Sequence, residues 1–131
     1  MKLNIKQINK WNIGFSTYEV KFPQKIPERY RLEESNVKAV CDEDRRKIVV
    51  TKRKTESDYT ILERLFHELV HVMFFYTSED IILDLIDSIK KQNEQQKEVV
   101  LELLVDQLSK RFLELLKHNN KAIRHILNFL Q

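Results

Sequence analysis

The chain has 131 residues, 42% apolar and 33% charged, with seven Phe, four Tyr, one Trp and a net charge of +3, which suits one domain with its own core and excludes a disordered chain. Its longest apolar run, Val72 to Tyr76, is far too short to span a membrane, and polar residues interrupt the first six positions where a signal peptide would be apolar, so a cytosolic protein is expected. A single Gly excludes phosphate-cradling glycine loops and a single Cys excludes an internal disulfide or multi-thiolate site, leaving imidazole and carboxylate to hold any metal.

In chain order, the first third reads as strands. Tyr18 to Phe22 and Val37 to Cys41 alternate in hydropathy, and Ile48 to Thr51 is a short β-branched run. Asp42 to Lys47 is a charged connector of hairpin length, and Pro23 to Asn36, with both prolines, reads as a surface loop. The expectation is an antiparallel sheet of about three strands within residues 3–54. After Thr55 the period becomes helical. Ser57 to Tyr76 places Ile61, Leu62, Leu65, Leu69, Val72 and Met73 at three- and four-residue steps, with Thr55, Ser57 and Asp58 as candidate caps. A second helix is expected over Glu79 to Lys90, ended by Gln92 to Gln96, a third over about Lys97 to Lys117 and a short fourth over Ala122 to Leu130. Strands followed by helices, without repeats or linkers, predict a single α+β domain over residues 1–131.

The first helix carries His67-Glu68-Leu69-Val70-His71. Residues four apart share a helix face, so both imidazoles can reach one ion, while Glu68, rotated by one position, can reach a water on that ion. This is the geometry of a zinc hydrolase, in which the metal acidifies its water and the Glu takes the proton. A catalytic zinc takes a third protein ligand. Glu98, Glu102 and Asp106 form a column at four-residue steps, and apolar neighbours Val99, Leu101, Leu103 and Val105 favour burial of Glu102, with Asp106 placed to accept from a ligand ring N–H. Glu98, His118 and His125 are the alternatives for the third place.

These residues resemble a family. Leu65 to Met73 is similar to the zinc helix of zincin metallopeptidases, and Glu102-x-x-x-Asp106 is similar to the gluzincin pattern. Trp11 before a strand, Val40-Cys41-Asp42 leading through Arg45-Arg46 to Ile48-Val49-Val50, and Val99 to Leu108 together resemble the small phage-associated zinc metallopeptidases and minigluzincins over about residues 11 to 112. The chain departs from them in lacking Gly near the hairpin and in the third helix, where it has Gln107. The resemblance implies a zincin-like fold with the active-site helix under the sheet, zinc held by His67, His71 and Glu102, and Asp106 behind a ligand. It further implies Glu68 as catalytic base and an edge strand containing Val49 and Val50 that binds an extended peptide. Tyr59 and Tyr76 flank the zinc helix as oxyanion candidates or core residues; Cys41 reads as a small core residue, and Trp11 and Phe74 to Tyr76 as core.

The charge is uneven. Residues 1–54 carry 14 basic against 7 acidic residues, a balance of +7, and residues 55–131 carry 9 against 13, a balance of −4. Three alternatives therefore accompany the zinc peptidase reading: a regulatory protease of ImmA/IrrE or SprT-like type acting on DNA-bound proteins, a non-catalytic zinc-binding interaction module, and a basic nucleic-acid binder. With no aromatic residue or Gly adjoining Lys52-Arg53-Lys54, the basic half reads better as a sheet beside the cleft than as a nucleic-acid face.

Overall fold

The computed structural model describes residues 2–14, 16–30, 37–76, 86–87 and 93–131, with the side chains of 74–76 outside that description. The expected helix over Glu79 to Lys90 lies almost wholly outside the described residues, as do the Phe74 to Tyr76 side chains. The described chain is α+β. Strands β1 (Lys10–Ile13), β2 (Ser16–Lys21), β3 (Ala39–Asp42) and β4 (Lys47–Val50) precede helices α1 (Asp58–Tyr76), α2 (Glu94–His118) and α3 (Asn120–Leu130).

The sheet has four strands in the order β1-β2-β4-β3, and it is mixed: β1–β2 and β3–β4 are antiparallel, but β2 and β4 run parallel. This corrects the expected three-stranded antiparallel sheet. It also corrects the assignment of Val49 and Val50 to the edge, because β4 is paired on both sides. The reason lies in hydropathy. Ile48, Val49 and Val50 are apolar without alternation and all buried, which suits a strand covered on every side, whereas β3 is only partly buried along its length. Gly14 adopts φ 61° after β1, the left-handed region that Gly enters at least cost.

α1 packs across β3 and β4. Ser57 Oγ accepts from Thr60 N–H at 3.2 Å and caps it, as its sequence suggests. Ile61, Leu65, Leu69 and Val72 are fully buried against Trp11, Tyr18, Ile48 and Val50, and Trp11 meets Phe66 edge to face at 6.2 Å. α2 begins at Glu94, earlier than expected, because Asn93 and Gln96 form a reciprocal capping box: residues that read as the end of one helix open the next.

The C-terminal end of α2 packs on β1 through Leu115 and Asn119. Asn119 is 6% exposed. Its Oδ1 accepts from Asn12 N–H at 2.6 Å, and its Nδ2 donates to the Asn12 and Leu115 carbonyls at 2.8 Å each.

Candidate metal centre

The apolar residues of α1 face the sheet, and His67 and His71 emerge on an exposed face with Glu63 and Arg64. The helix is therefore not buried all round. With β3 and the residues before it, this face bounds an open cleft of about 620 Å³, whose walls include Lys38, Ala39, Val40, His67, Glu68 and His71.

Within the cleft the two imidazoles converge. Two nitrogens on one tetrahedral zinc, at about 2.05 Å each, lie about 3.3 Å apart; His67 and His71 Nε2 are 3.2 Å apart. The rings meet edge to face, centroids 4.9 Å apart. The same separation lets one neutral ring donate to the other, so both Nε2 atoms are preset toward a common point. The spacing of the two imidazole nitrogens is that of two ligands on one zinc ion.

Glu68, beside the pair, is only 6% exposed. Burial pushes its carboxyl above the usual carboxylate range; His71 and His67 oppose that shift, and Glu43 in the β3–β4 turn adds to it. Such a carboxylate holds a proton more readily than a surface Glu does, which suits a group that must take and return one.

Arg64 fixes this part of α1. Its guanidinium donates to the Thr51 carbonyl at 3.0 Å and to Glu56, while Thr51 N–H and Oγ both donate to the Lys38 carbonyl, at 2.9 and 2.8 Å. The helix turn before His67 is thereby tied to the strand ends that wall the cleft. The Arg64 guanidinium, with the Arg53 N–H, holds the Glu56 carboxyl down at about 2. Sequence reasoning missed this network, although Arg64 three residues before His67 was a visible cue.

The proposed third donor lies elsewhere. Glu98, Glu102 and Asp106 are all exposed, and so are Val99, Leu101, Leu103 and Val105 around them, against the expectation that Glu102 is buried. The residues of α2 that turn inward are Val100, Leu104, Leu108, Arg111 and Leu115. Positions two apart differ by about 200° round a helix, so Glu102 and Asp106 fall on the opposite face. His118 sits beside Asn12, and His125 accepts from Asn4 N–H at 2.8 Å. Among the described residues, no group of three His, Cys, Asp or Glu converges. Tyr59 is 58% exposed and so is not a core residue.

Among known proteins, no family model, curated protein or solved structure matches the chain. No helix of the described residues is long and apolar enough to cross a membrane.

Proposed function

We propose that the chain is a zinc-dependent peptidase of zincin-like fold, with His67 and His71 as metal ligands and Glu68 as catalytic base. The observation that carries this reading is the pair of Nε2 atoms 3.2 Å apart in a cleft walled by a sheet edge, with buried Glu68 beside them. A zinc ion bound there would polarise a peptide carbonyl and acidify a water. Glu68 would take the proton of the attacking water and return it to the leaving amine. Its burial keeps solvent from competing for that proton. The open edge of β3 would align an extended peptide along the cleft by backbone hydrogen bonds. Glu102 as third ligand, and Asp106 behind it, rest on the resemblance alone.

Elemental analysis of protein purified without a metal-affinity tag tests the reading, with about one zinc per chain expected. His67→Ala and His71→Ala should lose the metal. Glu68→Gln should keep it while hydrolysis of a casein or peptide-library substrate falls by about 10²-fold or more. No zinc above background would overturn the proposal, and full zinc in Glu102→Ala would remove Glu102 from the ligand set.

A further inference from the structure

Six of the fourteen basic residues in positions 1–54, Lys2, Lys6, Lys10, Lys52, Arg53 and Lys54, lie on or beside one strap of the fold. Residues 2–10 run past the start of α1 and the start of α3 into β1. Leu3 and Ile8 anchor the strap in the core, Leu3 N–H donates to Asp58 at 3.1 Å, and Asn4 N–H donates to His125. Lys2 before these anchors, Lys6 between them and Lys10 after them are exposed.

Each end of the strap opens on a basic hollow. At one end, Lys2 joins Lys52, Arg53 and Lys54 around a hollow of about 470 Å³. Its two carboxylates are already engaged. Glu56 pairs with Arg64, and Asp58 accepts from Leu3 N–H and lies 4.0 Å from Lys52. At the other end, Lys6, Lys10 and Lys121 line a hollow of about 280 Å³ that has no carboxylate in its wall. Lys10 shares Glu19 with Lys21, but among the described residues Lys2, Lys6, Arg53, Lys54 and Lys121 form no ion pair.

We propose that this strap is a nucleic-acid-binding surface that holds a phosphate backbone without reading its sequence. Unpaired, flexible ammonium groups spread along a path suit repeating phosphates, to which they bind as point charges while releasing condensed counterions. With ammonium groups as the contacts, affinity should be set by charge and length. The hollow of Lys6, Lys10 and Lys121 lies beside β1, three strand spacings, about 14 Å, from β3, whereas Glu56 in the wall of the other hollow bonds Arg64 beside the cleft.

Fluorescence anisotropy of the full chain with a labelled duplex or single strand of about 20 nucleotides tests this without zinc or peptide, and so independently of the peptidase reading. With about four phosphates neutralised, duplex affinity should fall about 10²-fold between about 50 and 200 mM salt. The triple variants Lys52→Glu/Arg53→Glu/Lys54→Glu and Lys6→Glu/Lys10→Glu/Lys121→Glu should each weaken binding by about tenfold or more. Lys25→Glu/Lys110→Glu/Lys117→Glu, with the same change in net charge, should weaken it by no more than about threefold. Absence of binding at low salt, an equal loss in the Lys25 triple, or tighter binding to phosphatidylserine vesicles than to either nucleic acid would overturn the proposal.

Discussion

At the β1 edge of the sheet, the Asn119 carboxamide takes the place of a neighbouring strand, meeting both the N–H and the C=O of Asn12. At the β3 edge nothing comparable is found among the described residues. Lys38 pairs with Thr51, so in the antiparallel ladder Ala39 directs its N–H and C=O away from β4, beside the cleft of His67 and His71. One edge is thus closed by a buried side chain and the other is left as a template for an added strand. The contrast teaches that the fold spends its polar groups on closing the edge remote from the histidines.

The largest effect is expected at the closed edge. Asn119→Ala removes three hydrogen bonds from a site only 6% exposed and leaves Asn12 without its partner. At about 0.5 to 1.5 kcal/mol for each bond, a loss of about 1.5 to 4.5 kcal/mol is expected in urea unfolding. A loss below about 1 kcal/mol would mean that solvent can finish this edge as well as Asn119 does.

Next comes the tie beneath the open edge. Glu56→Gln weakens its bond to Arg64, a half-buried charge-assisted contact worth about 1.5 to 3 kcal/mol. The Glu56 carboxyl is lowered from 4.5 to about 2 in the folded chain, so its contribution is fully present above about pH 4.5 and is lost as pH falls toward 2. Wild type and variant should therefore differ in melting temperature at pH 7 and converge near pH 2. Parallel curves across that range would show that Glu56 does not titrate as the pairing requires.

The same contrast bears on what could be read from the sequence. Both helices were legible as helices, but which side of each turns inward was not. α1 is apolar on almost every side from Leu65 to Met73 and read as buried, yet His67, Val70 and His71 are exposed. In α2, Val99, Val100, Leu101, Leu103, Leu104 and Val105 are apolar at every azimuth, so proximity in sequence to apolar residues says nothing about which side turns inward. The β3–β4 hairpin was readable from two short runs around a charged turn. Which strand forms the edge depended on a subtler cue, the unbroken Ile48-Val49-Val50 against the alternating Val37 to Cys41. The parallel β2–β4 pairing carried no local signal, because it joins residues across the whole proline-containing loop. Closure of β1 by Asn119 spans 107 residues and had none either.

The smallest effect on stability, and the sharpest on function, is expected at the open edge. Ala39→Pro removes one N–H, and that N–H points away from β4, so the ladder loses no bond and stability should change by less than about 1 kcal/mol. Zinc content should be unchanged, since His67 and His71 sit on a different element. An extended peptide adding to β3, however, would lose a backbone donor and meet the proline ring at the place where pairing begins. Hydrolysis should then fall by about tenfold or more through KM rather than kcat. If Ala39→Pro unfolds the chain, the N–H of Ala39 is committed within the fold and β3 is not an open edge; if hydrolysis persists at full efficiency in a stable variant, substrate is held by the cleft walls and not by the strand.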